Sequence, residues 1–461
     1  MRKLDTLTLL LVLVLFSYPV QAGGNPDDGF VIAGSSRVFG GEPGRALLMK
    51  LAGEGEFVWG RTYGINDGQM GVSLTGELKD PEDRDFALIG KYGPTETEAP
   101  LAEYSPIVLR ADPSGRFVWA KKFSREDGIC FLNAVTWTDG GEMVAVGQVG
   151  PEGPEGMGTE DRDALVVKFA GDGTILWTYS YGGDLQEFAM DVIETEDKGI
   201  LMVGETTLPR GQESAGDLWL VKLREDGSVE WQKSFGEPMK RQAGHFGVEI
   251  GYSVSQLENG DLVVLGTTRS FGKGGGARGD IWVMKLDRDG NVKWQKAYGG
   301  ECLDTVPMMI RSSSGGYIIG SQSNSFAPWK DVTITSEVCG STRIHHIWVF
   351  RIDERGEIVW QKVYGVDSRE APGSLLETGQ DRYHFLASIE GKTSIFAING
   401  AGELAGGYSG LRSANTEVSP LVTESRPLAT SVSPQAIELE VSGLDLVEED
   451  VDPSELSLPE G

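Results

Sequence analysis

One phrase recurs six times in this chain, and its spacing leaves few folds open. Aligned on a turn glycine at Gly55, Gly115, Gly173, Gly227, Gly290 and Gly356, each copy places a tryptophan four residues later, at Trp59, Trp119, Trp177, Trp231, Trp294 and Trp360. Four residues after each Trp stands an aromatic (Tyr63, Phe123, Tyr181, Phe235, Tyr298, Tyr364), and five before each Gly stands a cation (Lys50, Arg110, Lys168, Lys222, Lys285, Arg351). Successive Trp residues are 60, 58, 54, 63 and 66 residues apart, the mark of one supersecondary unit repeated with variable loops. A seventh, eroded copy, "SIFAINGAGELAGGYSG", keeps the turn at Gly402 but has Gly406 where Trp is expected.

Upstream of each phrase lies a hairpin. "AVTWTDGGEMVAVG", "DVIETEDKGILMVG", "SVSQLENGDLVVLG" and "MMIRSSSGGYIIG" each set a Gly-containing turn between two β-rich runs. Two hairpins make four strands per unit. The runs "LWLVKL", "IWVMKL" and "IWVFRI" are almost continuously apolar, as expected of strands covered on both faces. A lone four-stranded sheet cannot cover both its faces, whereas sheets stacked radially cover each other. The expected fold class is therefore all-β, a seven-bladed β-propeller of four-stranded antiparallel blades. The repeated Trp residues read as structural plugs between blades, and the repeated cations as internal ion pairs or solvated strand edges.

The seven copies span residues 28–408, within a propeller expected over 23–442. The first copy begins at "DGFVIAG" and lacks its own first strand. A closed ring should not leave that edge unpaired, so the β-prone segment 419–441 is expected to close it. Residues 443–461, acidic and poor in aromatics, read as a disordered tail. Residues 1–22 read as a secretory signal: Arg2 and Lys3, the apolar run "LTLLLVLVLF", and "VQA" ending at Ala22. No later stretch is long and apolar enough for a spanning helix, and no Cys follows the cleavage site to be acylated. The expectation is an exported protein, secreted, periplasmic or at the cell surface, with no integral membrane span. A formal charge of −28 argues against a nucleic-acid partner.

The turn Gly, the Trp four residues on and the "YGG" ending resemble the extracytoplasmic β-propeller repeat proteins of bacteria and archaea. The Gly-to-Trp spacing also resembles the tryptophan-docking motif of pyrroloquinoline quinone enzymes and of their non-catalytic relatives in outer-membrane assembly. The Thr that precedes Gly in that motif is here Asp289, Asp226 or Arg355, the turn is a residue shorter, and the chain has no adjacent Cys pair. The resemblance implies the fold and no cofactor. Sialidase-type Asp boxes fit less well, since they place Trp three residues after Gly.

If the short turns occupy one side of the disc, the long connections occupy the other, and long loops on a rigid scaffold carry binding residues. On that loop face, His245 and His345 on neighbouring blades, with Asp304, form the candidate site for a metal or acid–base role, although no spaced ligand motif supports it, so no metal and no catalytic residue is assigned. Cys302 and Cys339 belong to one copy and are candidates for a disulfide, Cys130 standing apart. "DRDG" and "AGDG" are fragments of calcium loops without the remaining ligands and read as ordinary turns. The functional expectation is a non-enzymatic exported propeller that binds a protein, peptide or glycan over its loop face. The alternative is a quinoprotein-like oxidoreductase or hydrolase working in the central funnel.

Overall fold

The computed structural model describes residues 29–36, 45–52, 56–64, 70–74, 85–94, 104–125, 128–151, 162–183, 186–210, 213–236, 248–272, 279–326, 345–366, 370–390, 392–407 and 411–416, with short segments at 421–422, 428–429, 435–436, 440–443 and 447–450. These form seven antiparallel sheets, each one blade, with strands called A to D from the axis outward. Blade one contains Phe30–Ser36, Arg45–Leu51 and Phe57–Gly64 as B, C and D, and among the described residues it has no A strand. Blade two runs Met70–Leu74, Phe86–Pro94, Ser105–Ala111, Phe117–Ser124; blade three Ile129–Trp137, Met143–Gly150, Asp163–Phe169, Ile175–Tyr181. Blade four is Glu187–Glu194, Ile200–Arg210, Glu213–Leu223, Val229–Phe235; blade five Glu249–Gln256, Leu262–Thr268, Asp280–Leu286, Val292–Tyr298. Blade six is Asp304–Arg311, Tyr317–Ser323, His346–Ile352, Ile358–Gly365; blade seven Ala371–Gly379, Arg382–Ile389, Lys392–Asn399, Leu404–Gly407.

The C strands explain why the sheets stack. Ile281, Trp282, Val283 and Met284 are successive residues on opposite sheet faces, and all four are fully buried, which requires a neighbouring blade on each side. Apolar clusters accordingly lie between adjacent blades, as where Ala134 and Val146 of blade three meet Trp219 and Val221 of blade four. The ring is shut by Ile32, Met49 and Leu51 of blade one packing on Leu376 and Leu386 of blade seven.

The recurring glycine sits at the C–D turn, and its conformation accounts for its recurrence. Gly290 has φ +74°, its N–H bonds to Asp287 O at 3.0 Å, and Asp287 N–H bonds to Asn291 O at 2.8 Å. This is a tight turn closed by a bulge, with the register slipping between Lys285 and Leu286; the left-handed position favours Gly. The Asp287 side chain accepts from the Asp289 and Asn291 amides, so the Asp of "DRDG" organises the turn itself. The repeated cations form ion pairs beside these turns: Lys222 Nζ lies 2.7 Å from Asp197, Lys285 Nζ 3.1 Å from Glu354 and Arg110 Nε 2.6 Å from Asp85.

The C-terminal segment is placed differently from the single closing strand expected at 419–441. It leaves blade seven and runs backwards around the rim, adding a fifth strand outside each D strand in turn. Arg412–Asn415 pairs on blade six, Leu421–Val422 on five, Leu428–Ala429 on four, Gln435–Ala436 on three, Glu440–Gly443 on two and Val447–Asp450 on one. The last of these lies inside the stretch read as a disordered tail. The physical reason is the edge: each D strand exposes a row of backbone N–H and C=O groups that favours pairing, and this outweighs the polarity of the tail. The register is regular. The residue two after each Trp position pairs with Asn415, Val422, Ala429, Ala436, Gly443 and Asp450, a strict seven-residue step.

Truncation after Gly410 removes this belt and uncovers six edges. It is expected to lower the melting temperature by ~5 °C or more and to promote self-association, read by calorimetry and light scattering; an unchanged transition would show that the belt adds no stability.

Candidate functional site

Each of the six Trp residues is half buried and lies at a blade boundary. Trp119 Nε1 donates to Gly171 O at 3.0 Å, Trp294 to Glu354 O at 3.2 Å and Trp360 to Gly400 O at 2.8 Å, each acceptor lying in the C–D turn of the following blade. Trp59 and Trp231 pack on the turn glycines Gly115 and Gly290, whereas Trp177 stacks on Tyr179 at a centroid distance of 5.3 Å. The aromatic four residues on completes the dock: Tyr181, Tyr298 and Tyr364 donate their hydroxyls to Gly227, Gly356 and Gly402 carbonyls at 2.7, 2.8 and 2.5 Å, and Tyr63 does the same to Gly115. Phe123 and Phe235 fill the same slot without a hydroxyl. These aromatics hold the turn face together, and the long connections between B and C strands lie on the opposite face.

Beneath that loop face lies a row of buried carboxyl groups. The first residue of strand A is Glu187, Glu249 and Asp304 in blades four, five and six, and Glu370 directly precedes the A strand of blade seven. Strand C of the preceding blade carries Asp163, Asp217, Asp280 or His346 immediately before its buried apolar run. Where the geometry is on view, the two meet across the blade boundary. His346 Nδ1 is 2.7 Å from Glu370 Oε2. A Cβ added at Gly365 would fall 2.5 Å from that same nitrogen and 2.7 Å from that same oxygen. One at Gly182 would fall 2.9 Å from Glu187 Oε2 and strike Asp163 Oδ1; at Gly236 and Gly299 it would strike Asp217 and Asp280. Gly182, Gly236, Gly299 and Gly365, each following the terminal aromatic of its phrase, are therefore small to admit these side chains.

The acids are also held within their own blades. Thr206 Oγ1 donates to Glu187 Oε1 at 2.9 Å, and Thr268 Oγ1 to Glu249 Oε1 at 3.0 Å. Asp304 Oδ2 accepts from Ser325 Oγ and the Gly300 amide, both at 2.9 Å, and its Oδ1 is buried without a hydrogen-bond partner among the described residues. Blades four and five carry the densest group, where Glu205 joins Asp217 and Glu249. Burial, then the charge of Glu249, pushes the Glu205 carboxyl up to about 7; burial and the nearby Asp217 push Glu249 up to about 7. Burial alone raises Asp304 to about 6. Like charges in a dry site do not readily ionise together, so Glu205 and Glu249 are not both fully ionised at neutrality. At the boundary of blades six and seven His346 takes the place of one acid. Among the described residues no group of three His, Cys, Asp or Glu is arranged to hold a metal ion.

Two of the site residues expected from the sequence, Asp304 and His345, are described, both on blade six. Asp304 packs against blade five, its amide bonded to Gly279 O at 2.8 Å, while His345 belongs to the boundary with blade seven, its carbonyl accepting from Glu370 N at 2.9 Å. His346 lies in the same cross-strand row as Asp304 with Ser323 between them. His245 lies outside the described residues. Cys302 is engaged in a disulfide, Cys130 is free and buried, its thiol pushed up to about 12 by burial, and Cys339, the third cysteine of the chain, lies outside the described residues. Sequence reasoning missed Glu187, Glu205, Asp217, Glu249 and Glu370. A partial signal was present in the acid before "LWLVKL" and "IWVMKL", Asp217 and Asp280, and in the Gly after most of the terminal aromatics. A mixed-charge cleft of about 420 Å³ on the turn face, lined by Asp197, Lys222, Trp231, Arg288 and Asp289 among others, was also not foreseen.

No family model matches the chain, and no curated protein does. Among solved structures, one similar chain is a protein of unknown function from Dyadobacter fermentans, 9% identical, with a TM-score of 0.39, covering 71% of this chain and 91% of that one.

Two measurements address the carboxyl row. An unfolded Glu ionises near ~4.3, whereas folded Glu249 keeps its proton up to about 7. Its contribution is thus fully present below pH ~4 and is lost as pH rises to ~7. Asp197, held down at about 2 by Lys222 and Thr195 against its burial, acts in the opposite sense but in a lower window, complete by pH ~4. The melting temperature is expected to fall between pH 4.5 and 7.5, and Glu249→Gln to flatten that fall; equal slopes in the two proteins would refute the assignment. Gly182→Ala should cost about 1–3 kcal/mol in denaturant unfolding through overpacking against Asp163 and Glu187, and a neutral result would show that the pair is not confined.

Proposed function

We propose that the protein is an exported, non-enzymatic propeller of the tryptophan-docking kind that binds a protein, peptide or glycan through its loop face. The observation that carries this reading is the difference between the two faces. Connections on the turn face are tight, as in the turns at Asp287–Asn291 and Asp353–Glu357, whereas on the other face residues 324–345 separate the B and C strands of blade six, and residues 151–162 those of blade three. Loops of that length on a rigid ring suit recognition of a large ligand. The buried acids below them are engaged with one another and with neighbouring hydroxyls and amides, as befits a structural floor. The disulfide at Cys302 and the leader-like residues 1–22 support export to an oxidising compartment. A net charge of −28 favours partners with basic surface through electrostatic complementarity.

The test is direct binding of the purified protein to a panel of cationic peptides, neutral oligosaccharides and acidic oligosaccharides, compared with a variant whose residues 152–161 are replaced by a short Gly-Ser linker and a second whose residues 273–278 are. A panel member that binds the parent and is lost by at least one variant of unchanged melting temperature is expected. Binding that survives both replacements, or a panel member that is chemically converted, would overturn the proposal.

A further inference from the structure

The repeats serve as controls for one another, and on the turn face the boundary between blades four and five departs from its neighbours. At three other boundaries the cation of strand C reaches the residue two before the turn glycine of the following blade. Arg110 Nη1 donates to Gly171 O at 2.6 Å, Lys168 Nζ lies 3.6 Å from Glu225 Oε1, and Lys285 Nζ lies 3.1 Å from Glu354 Oε2. Between blades four and five the residue in that place is Arg288. Lys222 keeps the partners of its own blade, Thr195 Oγ1 and Asp197 Oδ1 at 2.7 Å and Glu230 Oε2 at 3.8 Å, but has a second cation where Lys168 and Lys285 have a carboxylate. Arg288 makes no ion pair among the described residues; its guanidinium lies along the A–B turn of blade five, where a Cβ at Gly260 would fall 2.8 Å from Nη2. The indole N–H that donates to the carbonyl of the same residue at Gly171, Glu354 and Gly400 makes no such bond from Trp231 to Arg288. At this boundary the turn face opens into the cleft of about 420 Å³.

We propose that this cleft binds a free α-amino acid as its zwitterion, with the carboxylate set between Lys222 and Arg288. The repeat itself shows what belongs in that place: a carboxylate, supplied within the chain by Glu225 and Glu354 at the boundaries on either side and absent here, where Arg288 stands instead. An arginine fork presents parallel N–H donors that match a carboxylate, and the lysine adds a second charge. An anion alone is a poorer match, because the cleft is lined by four acids, Glu196, Asp197, Glu230 and Asp289, against two cations; an ammonium on the carbon next to the carboxylate balances the excess. Trp231, Leu201 and Leu262 supply apolar surface for the ligand's side chain. The volume falls at the small end of ligand pockets, roughly 300–1,000 Å³. An extended peptide has no strand to join there, since the D edges of blades four and five already carry Leu428–Ala429 and Leu421–Val422. The cleft lies on the face opposite the long loops, so this site is separate from the recognition surface proposed there.

The experiment is calorimetric titration of the full chain with L-leucine and L-phenylalanine, and with two blocked forms of the first. N-acetyl-L-leucine lacks the ammonium and mimics a peptide C-terminus; L-leucinamide lacks the carboxylate and mimics a peptide N-terminus. At least one free amino acid is expected to bind, and both blocked forms to bind roughly tenfold or more weakly than L-leucine or not at all. Arg288→Glu puts into the cleft the residue type of Glu225 and Glu354; it is expected to weaken binding of the free amino acid roughly tenfold or more, with a melting temperature unchanged or raised, because Lys222 gains the pair that Lys168 and Lys285 have. No binding of either amino acid would overturn the proposal, as would binding unchanged in Arg288→Glu. Equal binding of N-acetyl-L-leucine would show that an anion suffices, and equal binding of L-leucinamide that the acids capture an ammonium alone; either result would overturn recognition of the zwitterion.

Discussion

The structure depends on one repeated contact: an aromatic pair from the D strand of one blade seated on the turn glycine of the next. Trp294 packs on Gly356 and donates to Glu354 O, while Tyr298 donates to Gly356 O at 2.8 Å. The contact needs three things at once. The turn must expose carbonyls, the glycine must hold φ near +74°, and no side chain may stand where the indole lies. A propeller blade has little stability alone because its C strand is apolar on both faces, so a contact that fixes the angle between blades also fixes the burial of residues such as Trp282 and Trp348, both fully buried. Blade seven departs from the pattern with Gly406 in place of Trp, and it is there that the ring meets the incomplete first blade through the small cluster around Met49 and Leu386.

Electrostatics are divided between the two faces. On the turn face largely buried cations pair with more exposed acids, as Lys285 does with Glu354 and Lys222 with Asp197. On the loop face acids meet acids in dry surroundings, and burial with neighbouring charge pushes Glu205 and Glu249 up to about 7. His346 with Glu370 shows the same slot filled by groups of complementary chemistry, which is why the row reads as a set of inter-blade fasteners and not as a catalytic constellation. The loop-bearing rim of blades four and five therefore rests on two carboxyl groups pushed up by burial, Glu205 and Glu249 at about 7.

The belt changes what kind of object the propeller is. Velcro-like closure by one strand joins first blade to last, whereas a tail that visits six blades ties the perimeter of the ring. Each visit is brief, two to four residues, so no single step is strong; the stability lies in their being linked. The D strands present free edges outward, and the tail turns what is otherwise a pairing hazard into an attachment site.

Local order was legible in the amino-acid sequence: the six phrases, the hairpins, the left-handed turn glycines and the doubly apolar C strands follow from periodicity and turn chemistry, because such features are determined over a few residues. Seven blades followed from counting. The acid pairs were not legible as pairs, since Asp217 and Glu249 lie on different blades and neither spacing nor type marks a contact across a boundary. Asp304 and His345 were joined on the strength of residue type; the sheet puts His346 in the cross-strand row of Asp304, because register, not chemistry, places side chains. The tail was read from its composition as one strand and a polar end, although its heptads were there to be counted; their meaning, one step per blade edge, exists only once the ring has set the distance between edges.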